Sequence, residues 1–596
     1  MKAVREYRDI LLTRVRLLTA LVVTLMVLIG ISYWYHQLVR GGHYADLAEN
    51  NRLRKTSLRA PRGLIFDRND RVLVENVPSY DLLLDRSRAD DPAASLAYAA
   101  ATLGRPLERL QAELAKGRDR PDFVPVTIAQ NLTLAQVAQI SVTGREHPEL
   151  EIRAQPLRLY RHGPQTAHAL GYIGQVSPRD LAVDPSYRPG ERKGKEGIEQ
   201  TYDRQLRGGA GEQVVVVDSR GKTLQEQNRV PADPGSNLQL TLDLGLQQAA
   251  EELMRERTGA VVALDPRSGA ILAMVSSPSF DPNLFARGLE PEQWQELLDH
   301  PDDPLQNRVI RNAHSPGSVF KIVMAAAGLA EAVINEQERV YCRGSATIYN
   351  HRFRCDKLSG HGWINLRQAL ERSCNVYFYH LGQTLGIETI ARYARAFGLG
   401  KATGVDLAGE NSGLVPDAAW SERVRDTPWF AGETISVAIG QGPLLVTPIQ
   451  VARMTAAVAN GGTLVRPHLV QGQAAQSPPP RLPVPPDLLR PVREGLSAVV
   501  NEVTGTAHRV AYLEGLEIAG KTGTVQVVAR ARVEGELTGN FRNHGWFTSF
   551  APADDPQLVV VVFAEHGESG SGGAAPIARA LYEEYFQSET DPAPAI

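Results

Sequence analysis

From Leu17 to Tyr35 the chain runs LLTALVVTLMVLIGISYWY, nineteen residues without a charge. As a helix this run is about 28 Å long, enough to cross a bilayer core of about 30 Å. Lys2, Arg5, Arg8, Arg14 and Arg16 precede it, against only Glu6 and Asp9. That bias places the N-terminus in the cytoplasm. Tyr33, Trp34 and Tyr35 stand where an interfacial aromatic belt belongs. The small-x-small triplet Gly30-Ile31-Ser32 is followed by bulky aromatics, which argues against a cleaved signal peptide. A buried helix of a soluble domain is the other alternative, and the flanking charges disfavour it. Phe123 to Gly144 and Thr434 to Ala452 also lack charge, but polar residues, Gly and Pro interrupt them. The mean hydropathy of −0.23 excludes a polytopic membrane protein. The chain therefore reads as a single-pass inner-membrane protein whose bulk lies on the periplasmic side.

That bulk is ordinary globular sequence. Lys and Arg number 64 against 67 Asp and Glu, a net charge of −3, which excludes recognition of nucleic acid by a basic surface. His43 to Arg59 has a polar, helical tendency. An alternating strand region runs from Arg62 to about Asp85, and residues 86–150 read as helices with polar linkers. Tyr187 to Glu212 is charged and Gly-rich, and Val214 to Asp218 is a short strand. Pro231 to Ser236 is the best boundary. Beyond it the pattern is a helix, two strands joined by a turn at Pro266 to Gly269, a long helical middle, more strands and a final helix. This describes an α/β domain with a mainly antiparallel sheet and helices on both sides, standing on an elongated α+β segment. The predicted layout is a cytoplasmic tail 1–16, a transmembrane anchor 17–38, a non-catalytic pedestal 39–235 and a catalytic domain 236–590.

Three short elements carry chemistry. Ser318 and Lys321 lie three apart at the start of an apolar helix, on one face. Burial of Lys321 would lower its pKa and let it take a proton from Ser318. The alternative is an N-cap serine and a surface lysine. Ser373 and Asn375 flank Cys374 in a turn between helices and offer a hydroxyl and an amide. Lys521, Thr522, Gly523 and Thr524 lie on a strand. There Gly523 would admit a substrate backbone, and Lys521 with the two threonines would bind a carboxylate. Each motif alone is weak. Together, an SxxK on a helix, an SxN on a loop and a KTG on a strand form the signature of penicillin-recognising serine enzymes.

By these motifs the chain resembles the class B penicillin-binding proteins, monofunctional D,D-transpeptidases of peptidoglycan synthesis, and among them the elongation type of Gram-negative rods. NRLRKTSLRAPRGLIFDRNDRVLVENVPSY, GKEGIEQTYDRQLRG, TGVDLAGENSGLVP and IGQGPLLVTPIQVARMTAAVANGG also match family segments, with Asn69-Asp70 where many members have Asn-Gly. The resemblance implies that Ser318 is the nucleophile, Lys321 its base, and Ser373 and Asn375 the relay. It implies that Lys521, Thr522 and Thr524 hold the terminal carboxylate. The backbone N–H groups of Ser318 and Thr524 would form the oxyanion hole. The substrates implied are pentapeptide stems on glycan strands, with β-lactam antibiotics as inhibitors. The partners implied are a RodA-type glycan polymerase and the scaffold MreC. The rival functions are a septal transpeptidase, a D,D-carboxypeptidase or β-lactamase, and a non-enzymatic β-lactam sensor or scaffold.

The chain has only 3 Cys, too few for a disulfide scaffold. Cys342, Cys355 and Cys374 lie within 33 residues, with His361 between the last two. Three thiolates and an imidazole suit a tetrahedral zinc ion, and the intervening segment is polar and Gly-rich. Some Gram-negative relatives are similar in having a zinc site beside the SxN loop. The alternatives are a Cys342–Cys355 disulfide with Cys374 free, or three unrelated thiols; His351 and Asp356 are substitute ligands. The expected zinc is structural, and no organic cofactor is expected.

Overall fold

The computed structural model describes residues 2–44, 53–58, 60–122, 124–142, 144–188, 190–217, 223–472, 478–526 and 542–590. Lys2–Trp34 forms one helix, continued by a short π-helical turn over Tyr35–Val39. Its apolar side chains face outward along the whole run, Leu17 and Met26 among them. Such a surface is stable in lipid and costly in water.

The chain divides into two compact units. One takes in residues 1–61, 79–155 and 208–234; the other takes in 62–78, 156–207 and 235–596. In the first unit, Leu53–Leu58, Gly211–Val217 and Thr223–Val230 form a three-stranded antiparallel sheet. Of the segment His43 to Arg59, for which the polar pattern suggests helix, His43 and Tyr44 are helical and 53–58 are strand, while residues 45–52 and 59 lie outside the described residues. The part of strand Val72–Leu84 that belongs to this unit pairs with Val126–Leu132. Leu82, Leu84 and Ile128 are buried there with Leu96, Leu103 and Leu110 of two helices, Pro92–Leu103 and Leu107–Ala115. The strand at 126–132 is absent from the sequence reading because Thr, Gln and Asn blur its alternation.

The second unit is built on a five-stranded antiparallel sheet. Its spatial order is Ile271–Ser277, Gly259–Leu264, Leu558–Ala564, His544–Ala551 and Ala519–Val525. Both faces are buried, so alternation along a strand divides the residues between two cores. Ala260, Val262 and Leu264 join the core that holds the helix Lys321–Ala330. Val261 and Ala263 join the core that holds Leu246 and Leu581, from the helices Leu244–Met254 and Ala575–Thr590. The expected turn at Pro266 to Gly269 joins the first two strands.

The same unit contains a buried ionic cluster. Glu199 is 0% exposed and accepts hydrogen bonds from Arg158 Nε at 2.7 Å and Arg62 Nε at 2.6 Å. Arg62 also pairs with Asp203 at 2.9 Å, and Asp203 accepts from the Gly194 N–H and the Tyr187 hydroxyl. Burial alone would raise the Glu199 carboxyl, but Arg158 and Arg62 outweigh it and hold the pKa below the usual range.

Candidate active site

The three sequence motifs lie in this unit. Gly317–Phe320 forms one 3₁₀ turn, and the α-helix begins at Lys321. Ser318 is therefore one turn before Lys321. Leu366–Glu371 and Asn375–Ala396 are the helices on either side of the SxN turn. Ser373 takes a left-handed φ of 51°, uncommon for a residue with a side chain and a frequent mark of functional turns. The KTG segment lies on the strand Ala519–Val525, as its neighbours in sequence predict.

Lys321 is fully buried and its ammonium has three partners. Nζ is 2.8 Å from the Ser373 carbonyl oxygen, 3.2 Å from Ser373 Oγ and 2.7 Å from Asn375 Oδ1. The carbonyl and amide oxygens only accept, but the hydroxyl can also donate. All three can therefore accept from the charged ammonium, and the Ser373 hydroxyl can donate in return once the amine is neutral. Burial lowers the Lys321 pKa to about 8, with Cys374, Cys355 and Asp356 opposing the shift. A base of this kind is competent only when deprotonated. Penicillin acylation of the protein should accordingly rise with pH and reach half its plateau near 8. A rate that stays flat from pH 6 to 9 would contradict this assignment of the base.

Lys521 is also fully buried. Desolvation, and then the charge of Lys321, push its pKa well down. Its Nζ donates to the Thr522 carbonyl at 3.1 Å. A carboxylate placed beside Nζ would favour the protonated lysine.

Close backbone approach holds these pieces together. A Cβ on Gly523 would lie 2.9 Å from the Pro316 carbonyl oxygen, and one on Gly317 would lie 2.8 Å from that of Thr524. A Cβ on Gly440 would lie 2.0 Å from the Gly317 carbonyl oxygen, while the Gly317 N–H donates to Gly440 at 2.9 Å. A side chain at Gly317 or Gly523 would drive the turn that carries Ser318 from the KTG strand, and one at Gly440 would drive it from the 440 backbone.

Several contacts at the site are not visible in the sequence motifs. Gln441 Nε2 donates to the Thr524 carbonyl at 3.3 Å, and the Thr506 and Thr522 hydroxyls are 2.8 Å apart. Trp546 Nε1 donates to the Ser315 carbonyl at 3.0 Å. His314 packs against His544 with ring centres 5.2 Å apart, and burial lowers the pKa of both, that of His544 to about 4. Gln441 lies in the quoted segment IGQGPLLVTPIQVARMTAAVANGG, whereas the Gly-Thr step at 505–506 is a common pair that singles out nothing.

The cysteine quartet also converges. One ligand atom from each of Cys342, Cys355, His361 and Cys374 lies within 4.8 Å of the others, a group able to chelate a metal. Cys355 Sγ is 3.6 Å from His361 Nδ1 and 3.9 Å from Cys374 Sγ. All three cysteines are free, so the Cys342–Cys355 disulfide is not formed. The thiol of Cys374, with the His361 ring, holds Cys355 far below the ordinary thiol range, and Cys374 is raised in return. Neither substitute ligand, His351 or Asp356, is part of the group.

The penicillin binding protein transpeptidase domain family matches residues 259–583, and the penicillin-binding protein dimerisation domain family matches 57–240. The peptidoglycan D,D-transpeptidase MrdA of Acinetobacter baumannii is 33% identical over 600 residues, covering 98% of this chain and 89% of the relative. The structure of PBP2 in complex with MreC from Helicobacter pylori superimposes with a TM-score of 0.81 at 29% identity, covering 90% of this chain and 99% of that one. Pseudomonas aeruginosa PBP2 in complex with WCK 5153 gives a TM-score of 0.69 at 32% identity, covering 91% of this chain and 100% of that one.

Proposed function

This chain belongs to the class B penicillin-binding proteins of the PBP2 type, elongation D,D-transpeptidases that cross-link peptidoglycan, and from that premise we propose that Ser318 is its nucleophile and Lys321 its general base. The protein is anchored in the inner membrane by its one apolar N-terminal helix, with the catalytic domain in the periplasm. The observation that carries the assignment is the buried Lys321 ammonium, one turn from Ser318 and bonded to both Ser373 and Asn375.

In this reading Lys521, Thr522 and Thr524 bind the terminal carboxylate of a D-Ala-D-Ala stem. Neutral Lys321 takes the Ser318 proton as Oγ attacks the penultimate carbonyl carbon. The backbone N–H groups of Ser318 and Thr524 stabilise the oxyanion. The C–N bond then breaks, and Ser373 relays the proton from Lys321 to the departing D-Ala amine. The side-chain amine of a second stem attacks the ester, its proton returns to Lys321 and then Ser318, and a new amide is formed. A β-lactam enters by the same first step, but its amine remains tethered after ring opening and blocks the second.

We assign the metal group to structural zinc, held by Cys342, Cys355, His361 and Cys374. Zn–S bonds of about 2.3 Å place ligand atoms about 3.8 Å apart in a tetrahedron, which supports the fit. Bound zinc would cross-link the loop and fix Cys374, the central residue of SxN. Protein purified without added metal should carry about one zinc per chain, and removal by chelator should lower its melting temperature. A metal-free protein of unchanged stability would overturn the assignment.

The division into anchor 17–38, pedestal 39–235 and transpeptidase domain 236–590 remains our proposal, supported by the spans of the two family matches. The likeness to a PBP2 solved with MreC supports the same scaffold as a partner here, beside a RodA-type polymerase. Cross-linking of nascent glycan by the full chain together with such a polymerase tests the function. Polymer that stays uncross-linked while penicillin still labels Ser318 would favour a β-lactam sensor.

A further inference from the structure

The two-stranded sheet that holds Cys342 and adjoins His361 has a second face. Strands Val340–Cys342 and Gly362–Ile364 pair antiparallel, with Tyr341 opposite Trp363. Alternation turns Cys342 and Ile364 inward and the two aromatics outward. Trp363 is 63% exposed and Tyr341 47%. Their rings meet edge to face at 5.3 Å, and the Arg343 guanidinium lies 5.7 Å from the Tyr341 ring centre. Residues 340–364 carry Arg343, Arg352, Arg354 and Lys357 against Asp356, a net charge of +3 in a chain whose net charge is −3. All five charged residues are exposed.

We propose that this face is a docking surface for a glycan strand of peptidoglycan, engaged outside the cleft that takes the stem termini. The proposal rests on the transpeptidase reading above. Three features favour this occupant. Rigid aromatic rings offer the apolar faces of sugar rings a large contact at little entropic cost. Arg343, beside the Tyr341 ring, offers positive charge to the free carboxylates of the stems that a glycan strand carries. The platform is also continuous with the catalytic loop: Tyr341 adjoins Cys342, Trp363 is two residues from His361, and both of those residues converge on Cys374, next to Ser373. A strand held here would keep its stems close to the acyl-enzyme for successive rounds.

The test uses full-length protein in detergent, first acylated with fluorescent penicillin so that the cleft is closed. It is then sedimented with insoluble peptidoglycan. Trp363→Ala should lower the affinity about ten-fold, while Trp363→Tyr, which keeps a stacking ring, should restore most of it. Arg343→Glu should weaken binding at low salt and much less at high salt, and this difference should vanish on glycan stripped of its stems. Equal sedimentation of Trp363→Ala and the parent overturns the proposal. So does Trp363→Ala that no longer takes up penicillin, because the loss would then be a collapsed loop. Loss of binding to anionic lipid vesicles, with peptidoglycan binding intact, would identify a membrane contact and also overturn it. Failure of the parent itself to take up penicillin would count against the transpeptidase reading instead.

Discussion

Ser318→Ala should take up no fluorescent penicillin and form no cross-links, and Lys321→Ala should come close to the same floor. The nucleophile and its base act as a unit, so the double variant should be little worse than either single one. The expected loss is at least about 10³-fold in acylation rate for each. Lys321→Ala also leaves the Ser373 carbonyl and the Asn375 amide oxygen without their shared donor. The informative comparison is Lys321→Arg, which keeps the charge and the donors but cannot deprotonate. Arginine should rescue folding and not acylation. If Lys321→Arg acylated at near the parent rate, Lys321 would be an electrostatic support and another group would be the base. The measurement is a stopped-flow time course of penicillin labelling at pH 8.5, where the parent lysine is largely neutral.

Glu199→Ala should give the largest loss of stability away from the catalytic motifs. The substitution leaves Arg62 and Arg158 buried with no carboxylate between them, a change that typically costs about 3–5 kcal/mol. Thermal unfolding of the detergent-solubilised chain should shift down by several degrees. The pH dependence has a definite sign. The Glu199 pKa is depressed in the fold, so its contribution is present above the unfolded value of about 4.3 and is lost as pH falls through the lower, folded value. Parent and variant should therefore differ fully at pH 7 and converge in acid. An unchanged melting temperature would mean that the two guanidinium groups find water or other acceptors once Glu199 is gone.

The placement of the candidate site was legible because each motif pairs a polar side chain with a local structural preference. The apolar run after Lys321 forecasts a helix, the SxN turn falls between two helices, and the apolar residues around KTG forecast a strand. The cysteines were legible by their crowding alone. The pairings of Gln441 with Thr524 and of Thr506 with Thr522 were not, since they depend on how distant segments meet. The same applies to the strand at 53–58. Its partner lies more than 150 residues away, and its own Arg, Lys, Thr and Ser give no periodic signal. The role of Glu199 was hidden for a different reason. A glutamate in a charged, Gly-rich segment reads as surface, and only the burial of Arg62 and Arg158 around it reveals a core position.

The glycine contacts bear on how such an enzyme can escape an antibiotic. The Gly317, Gly440 and Gly523 backbones meet other chain segments at distances no side chain tolerates. A substitution there cannot nudge Ser318 out of a drug's reach while leaving it within reach of a stem peptide. At these three positions the geometry that would admit an inhibitor is the geometry that would admit the wall, so a change there should cost both together.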